Sequence, residues 1–189
     1  MKITHRLRSL FLLLALVGFP LVAPETRADR DGFKPYKGES AEFRKDILPA
    51  GSWTGIEFLQ LARWAAGRQE DFDIYGESTG SDNIGGRFTA KGWQIDYVTS
   101  ADELGPVEID WYYCVENTYA GGAKIRFVAW GHSNRITGAI TGQWIAVYGT
   151  DRFRGTTGGG MLAYQFTDPV RLTTEGEIIG RILTVGAGR

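Results

Sequence analysis

The sequence has few of the residues that most often build metal and cofactor sites. Cys114 is its only cysteine, so no disulfide can form within the chain. His5 and His132 are its only histidines, and His5 lies in the leader described below, which excludes zinc sites built on two or three histidines. A Ser-His-Asp triad would depend on His132 alone, in residues 131–135, which are predicted to form a turn.

Nucleotide-binding loops are also missing. The glycine-rich residues 155–160 lack the lysine and the following helix that a phosphate-binding loop needs, and no dinucleotide-binding fingerprint occurs. The sequence therefore predicts no metal and no cofactor.

The chain has one long apolar run, residues 10–22, which follows Lys2, Arg6 and Arg8. The run is short for a transmembrane helix, and Thr-Arg-Ala at 26–28 is a suitable cleavage site. Residues 1–28 are therefore predicted to be a secretory signal peptide, with a retained membrane anchor as the alternative. The mature protein is expected to be secreted or periplasmic.

Loss of residues 1–28, which hold four basic residues and one glutamate, takes the formal net charge from −1 to −4. A mildly acidic surface argues against nucleic acid and against anionic membranes as partners. The remaining length suits one domain with a hydrophobic core.

The first part of the mature chain gives two weaker patterns. Residues 29–50 are polar, contain two prolines and are predicted to form an N-terminal arm or linker. A short helix is predicted from Ser52 onward, with a strand over residues 56–61 as the alternative. Its apolar positions recur at near-helical spacing before Gly67, a typical helix stop: Ile56, Leu59, Ala62 or Arg63, and Ala66.

From residue 71 onward, runs rich in aromatic and β-branched residues alternate with glycine-containing turns, a pattern typical of strands. Gly121 and Gly122 match a two-residue hairpin turn. Short turns without helical patterns between them indicate an all-β, antiparallel sheet, and closure into a barrel would remove its exposed edges; a sandwich is the alternative. Residues 51–189 are thus predicted to form one β-barrel domain with strands at 71–77, 87–90, 93–99, 107–119, 124–130, 136–139, 143–148, 161–166 and 177–183.

The loop before the strand at 161–166 has an unusual content. The side chains of Thr150 and Asp151 can fix a tight turn through hydrogen bonds to nearby backbone N–H groups. Phe153 is the one large apolar residue of the loop. We therefore expect Phe153 to fold back and plug one end of the barrel.

Residues 148–158, Tyr-Gly-Thr-Asp-Arg-Phe-Arg-Gly-Thr-Thr-Gly, resemble the Gly-Gly-Thr-Gly-x-Phe-x-x-Ala-Arg-Gly signature of the allene oxide cyclase and dirigent barrel superfamily. The matching positions are Gly149, Thr150, Phe153 and Gly158. The resemblance implies an eight-stranded antiparallel barrel, commonly trimeric, whose hydrophobic pocket acts on unstable, largely apolar molecules without a cofactor. The signature's arginine falls at Thr157, so a dirigent role that depends on that arginine does not carry over.

The strand at 107–119 suggests where chemistry could take place. Its alternation separates an apolar face from a polar face that carries Asp110, Tyr112 and Glu116. If the polar face points into the barrel, desolvation raises its carboxyl pKa values, and Asp110 or Glu116 is predicted to transfer a proton. Tyr112 would then orient a substrate oxygen, and Arg126, across the hairpin, would stabilise a developing enolate or phenolate. A solvated outer face is the alternative.

Five more residues are predicted to contact a ligand: Tyr75, Asp96, Cys114, Asn117 and Trp130. Each of the first four also has a structural alternative: Tyr75 as a core residue, Asp96 as an outward residue, Cys114 as an inert buried thiol and Asn117 as a turn cap.

The sequence as a whole favours an exported, cofactor-independent isomerase, cyclase or lyase that acts on a small hydrophobic, aromatic or lipid-derived molecule. A non-catalytic carrier or a dirigent-like scaffold is the alternative. The family resemblance adds the expectation of a homo-oligomer.

Overall fold

In a computed structural model of the chain, the described residues are 32–168 and 173–184. The predicted signal peptide lies outside them. Within these ranges, no helix is long and apolar enough to cross a membrane.

The described chain forms a closed antiparallel barrel in which each strand pairs with its sequence neighbours and the first pairs with the last. This confirms the predicted fold class. The strands are β1 Lys34–Pro49, β2 Phe72–Asp82, β3 Gly86–Asp102, β4 Gly105–Tyr119, β5 Lys124–Asn134, β6 Ala139–Gly149, β7 Thr157–Asp168 and β8 Thr173–Leu183.

Strand β1 corrects the predicted arm over residues 29–50. From Lys34 onward this segment closes the barrel between β2 and β8, so the barrel begins before residue 51. Its inward positions include Ser40 and Glu42, and its outward positions are mostly exposed. A strand with polar residues on both faces lacks the apolar alternation that predicts strands, which explains the misassignment.

Three further predictions around the strands need correction. The strand predicted at 136–139 is mostly a turn, because Asn134 Oδ1 accepts hydrogen bonds from the backbone N–H groups of Ile136 and Thr137. His132, predicted in a turn, lies within β5. The predicted strands 87–90 and 93–99 are joined in the single long strand β3.

One helix, α1 (Glu57–Ala66), lies against the outside of the barrel, and Gly67 ends it with a φ of 64°. This confirms a helix rather than a strand at 56–61, but the helix begins at Glu57 and not at the predicted Ser52. Its buried residues Leu59 and Ala62 pack against Ile95 and Tyr97 of β3. The helix thus covers part of the outer surface that a free barrel would leave apolar.

An ion-pair cluster fastens this helix to the wall. The Arg63 guanidinium contacts Asp73 Oδ1 at 2.7 Å and Glu70 Oε2 at 2.6 Å. Asp73 is fully buried and also accepts the backbone N–H of Trp53. Because a buried carboxylate needs such partners, the cluster fixes the segment that connects β1 to β2.

Phe153 closes one end of the barrel, as predicted. Its side chain is 2% exposed, and its ring centroid lies 4.8 Å from that of Tyr119. Thr150 Oγ1 accepts the backbone N–H of Lys124, and the backbone N–H of Phe153 donates to Thr150 O, which fixes the loop. A Cβ on Gly149 would lie 2.0 Å from Phe153 O, so glycine is required there.

A buried polar cluster stabilises the same end. Asp82 Oδ2 accepts hydrogen bonds from Tyr119 at 2.5 Å and from Tyr36 at 3.2 Å. Asp82 Oδ1 accepts the backbone N–H groups of Ile84 and Gly85 in the turn after β2. Burial, followed by the nearby Asp82 charge, raises the pKa values of both phenols well above the ordinary value.

Candidate functional site

The barrel interior holds a mostly apolar cavity of about 310 Å³, at the lower end of the size range of ligand sites. It extends to the end of the barrel opposite Phe153, where Ile47, Phe72, Pro106 and Phe166 form part of its wall. Such a cavity suits a small, largely apolar molecule.

The face of β4 that lines this cavity is the apolar one. It contributes Ile109, Trp111, Tyr113, Val115 and Asn117. Asp110, Tyr112 and Glu116 alternate with these residues and point to the outside of the barrel. The inward orientation expected for the polar face is therefore wrong, although its catalytic role stays a prediction.

Asp110 lies among partners on the outer surface. Its carboxylate contacts Arg68 at 2.8 Å and His132 Nδ1 at 3.1 Å, and 43% of its side chain is exposed. Partial burial acts to raise the pKa of Asp110, but the hydrogen bonds from His132 and Arg68 outweigh it, and the pKa is lowered. A lowered pKa is the opposite of what a desolvated general acid requires.

Glu116 is placed similarly. Arg126 is its register partner across the hairpin and contacts it at 2.9 Å, and Lys124 contacts its other oxygen at 2.7 Å. These hydrogen bonds outweigh the effect of burial and lower the pKa of Glu116. Tyr112 packs its ring edge-on against Tyr97, beside α1.

Two of the five predicted ligand contacts, Asp96 and Asn117, line the cavity, and both are almost fully buried. Tyr75 and Trp130 lie on the outer side: Tyr75 packs between Trp53 and Trp93, and Trp130 is the register partner of Tyr112. Binding of a ligand by any of them stays a prediction.

Cys114 also lies on the outer face of β4, as the register partner of Val128. Its side chain is 3% exposed, and burial raises the pKa of its thiol to about 11. It is thus a buried thiol, which is the structural alternative considered for this residue.

A polar group that the sequence did not reveal lies inside the cavity. Glu42 of β1 accepts a hydrogen bond from the Tyr113 hydroxyl at 2.9 Å and one from the Thr174 hydroxyl at 3.2 Å. These three residues come from β1, β4 and β8, so the cluster exists only in the closed barrel. A register shift in β1 directly after Glu42 is a β-bulge, a feature that often re-aims side chains at functional sites.

The signal that could have revealed Glu42 is weak. Tyr36, Ser40 and Glu42 are separated by even intervals, which places them on one face of a strand. Only Tyr36 among them is a typical strand-forming residue. The pattern becomes recognisable once β1 is known to be a strand.

Two other polar pairs line the wall. Ser40 and Tyr164 share a hydrogen bond of 2.5 Å between their hydroxyl groups, and Gln94 Nε2 donates to Asp96 Oδ1 at 2.6 Å. Burial raises the pKa of Tyr164 to about 12, and burial followed by the Glu42 charge raises the pKa of Tyr113. Both phenols therefore remain protonated donors at neutral pH.

The interior thus combines a carboxylate, protonated phenols and apolar walls. This set can position a small molecule and exchange a proton with it. Among the described residues, no group of three or more His, Cys, Asp or Glu side chains is placed to hold a metal ion.

No protein-family model matches the sequence, and no curated protein matches it. Among solved structures, one similar protein is a nonspecific heme-binding cyclase that catalyses a 4 + 2 cycloaddition during neoabyssomicin biosynthesis. The two chains are 13% identical with a TM-score of 0.45, and the match covers 83% of this chain and 70% of that chain. At that level of similarity, the neighbour does not bear on the chemistry of this cavity.

Proposed function

We propose that this protein is an exported, cofactor-independent isomerase or cyclase that binds a small, largely apolar molecule inside the barrel. The observation that carries the proposal is Glu42, a carboxylate on the wall of an otherwise mostly apolar cavity, hydrogen-bonded to Tyr113 and Thr174. Export is supported only by the signal-peptide pattern of residues 1–28.

Glu42 is the proton-transfer residue in this proposal. Its carboxylate takes a proton from one carbon of the bound molecule and returns it to another, so the product has the same mass as the substrate. Tyr113 and Thr174 are positioning residues, because their hydroxyl groups fix the two carboxylate oxygens. A proton-transfer group held in this way contributes about 10²–10⁴-fold to the rate.

The apolar wall has a separate role. It excludes water and restricts the conformation of a flexible substrate, which favours ring closure over random reaction in solution. The cavity volume of about 310 Å³ limits the substrate to a small molecule.

The experiment uses conservation of mass as its readout. The purified protein is incubated with a panel of small unsaturated ketones, epoxides and phenols, and products of unchanged mass but altered retention are sought by liquid chromatography and mass spectrometry. Glu42→Gln keeps the shape of the side chain but removes the base, so conversion should fall about 10²–10⁴-fold while binding persists.

The matched control is Glu39→Gln, in the same strand. Glu39 faces outward and is exposed, so this variant should convert at the unmodified rate. Equal conversion by Glu42→Gln and the unmodified protein would refute the role of Glu42. Binding of panel compounds without any conversion would identify a non-catalytic carrier. The interior polar groups also fit this alternative, because they form hydrogen bonds with one another.

A further inference from the structure

Trp111 of β4 has a buried hydrogen-bond donor for which no described residue provides an acceptor. Its side chain is 4% exposed and lines the cavity. Its indole Nε1 is fully buried and has no hydrogen-bond partner among the residues that the structure describes. More than nine-tenths of buried polar groups in proteins have a partner, so this donor needs an explanation.

The neighbouring Trp144 shows what a satisfied indole looks like in the same wall. Its Nε1 donates to the backbone carbonyl groups of Met161 of β7 at 3.2 Å and Ile179 of β8 at 3.1 Å. The other two buried donors without a partner in the described chain, Trp53 Nε1 and Tyr97 Oη, lie beside α1 outside the cavity. Of the three residues with an orphaned donor, only Trp111 lines the cavity.

The Trp111 ring is also held in place by its surroundings. A Cβ on Gly131 would lie 2.6 Å from its Cζ2 atom, and one on Gly142 would lie 2.7 Å from its Cη2 atom. The ring therefore occupies the room that these two glycines of β5 and β6 leave. A donor fixed in this way is preorganised for an acceptor.

We infer that the Trp111 indole N–H donates a hydrogen bond to an oxygen atom of the ligand, so that the cavity selects small apolar molecules that carry a carbonyl, ether or epoxide oxygen. This inference rests on the proposed function, because it assumes that the cavity binds a ligand. It assigns the substrate class, which the cavity volume alone does not.

The assignment also gives the two interior groups complementary roles. When a carbonyl oxygen accepts the Trp111 N–H, the adjacent C–H bond becomes more acidic. Glu42 removes that proton, the electron pair of the C–H bond moves into the enolate, and the Trp111 N–H stabilises the negative oxygen. Return of the proton to another carbon restores the carboxylate and completes an isomerisation.

The test compares two probes that differ only at the proposed acceptor, acetylnaphthalene and the matching ethylnaphthalene. In proton–nitrogen correlation spectra of the full chain, acetylnaphthalene should move the Trp111 indole proton downfield, whereas ethylnaphthalene should not. The Trp144 indole, whose N–H is already satisfied, should respond alike to both probes and serves as the internal control.

Trp111→Phe keeps an aromatic ring but removes the donor. It should weaken acetylnaphthalene binding by about 3- to 10-fold, the effect of one hydrogen bond, and leave ethylnaphthalene binding within about twofold. If this variant does not fold, the Trp111 resonance is assigned through backbone-linked spectra, and the probe comparison is made on the unmodified protein.

Two results would overturn the inference. If both probes bind but move the Trp111 resonance equally, the N–H does not contact the acceptor oxygen, and the proposed function is unaffected. If neither probe binds, the cavity does not accept molecules of this class, and the proposed function is refuted together with the role of Trp111.

Discussion

The Tyr113 hydroxyl group of β4 lies 2.9 Å from Glu42 Oε1 of β1, which joins two strands that are not neighbours in the barrel. This hydrogen bond spans the barrel interior, whereas the backbone hydrogen bonds of the sheet join only neighbouring strands. Since Thr174 of β8 donates to the other carboxylate oxygen, the interior geometry of Glu42 depends on three separate strands.

The Glu42–Tyr113 bond should be measurable as a coupling between two substitutions. We expect Tyr113→Phe to lower the free energy of unfolding by about 1.5–3 kcal/mol, as for a hydrogen bond to a charged group. In the Glu42→Gln background the same change should cost only about 0.5–1.5 kcal/mol, because the remaining bond joins neutral groups. Urea unfolding of the four proteins measures the difference.

Tyr148→Phe is the control for that cycle, because the Tyr148 side chain is 52% exposed. This substitution should change the free energy of unfolding by no more than about 0.5 kcal/mol. Equal losses for Tyr113→Phe in both backgrounds would mean that Tyr113 and Glu42 do not interact.

The sequence predicted the barrel because the evidence for it is local. Alternating strands with short glycine turns recur through most of the chain, and Phe153 is the one large apolar residue in a polar loop. Helix α1 was likewise predictable from apolar spacing and from Gly67. Such features depend on neighbours in sequence, which pattern analysis captures.

The interior site could not be predicted in the same way. Alternation separates the two faces of β4 but does not state which one points inward, and the carboxylates of Asp110 and Glu116 favoured the wrong choice. Trp111 and Tyr113 face the cavity, while ion pairs with Arg68, Lys124 and Arg126 satisfy the outer carboxylates. Glu42 was missed because its strand is recognised only through pairing with β2 and β8, which are distant in sequence.

Removal of the Phe153 side chain should destabilise the barrel strongly. Phe153 is 2% exposed and packs on Tyr119 at the closed end, so Phe153→Ala should lower the free energy of unfolding by about 3–5 kcal/mol. Chemical denaturation measures this loss. The control is Trp64→Ala on the outer face of α1, where the side chain is 81% exposed and the change should be about 0.5 kcal/mol or less. A loss below about 1 kcal/mol for Phe153→Ala would contradict its role as a plug.

Alkaline pH should unfold the barrel through its buried tyrosines. Burial is the largest cause of the raised pKa in all five affected residues: Tyr36, Tyr97, Tyr113, Tyr119 and Tyr164. The folded state therefore holds these protons more tightly than the unfolded state does. This stabilisation is fully present below the ordinary pKa of 10.0 and is lost as the pH rises through the folded values, about 12 for Tyr164.

The measurement combines urea midpoints with phenolate absorbance from pH 8 upward. The midpoint should begin to fall near pH 10, and part of the phenolate signal should appear only as the barrel unfolds. If all eight tyrosines ionise near pH 10 in a barrel that stays folded, the burial of these phenols is not what the structure indicates.

The two faces of β4 can be compared directly by amide substitutions. Asp110 and Glu116 lie on the outside with lowered pKa values, so Asp110→Asn and Glu116→Gln should convert substrate within about twofold of the unmodified rate, whereas Glu42→Gln should lose about 10²–10⁴-fold.

The outer variants should instead change the pH dependence of stability. A lowered folded pKa stabilises the protein above the ordinary carboxyl pKa, and this contribution is lost as the pH falls through the folded value. Each amide variant should therefore lose less stability on acidification than the unmodified protein.

The conversion assay decides between the two faces of β4. If a folded Asp110→Asn or Glu116→Gln variant loses about 10²-fold in rate while Glu42→Gln stays active, the chemistry takes place on the outer face.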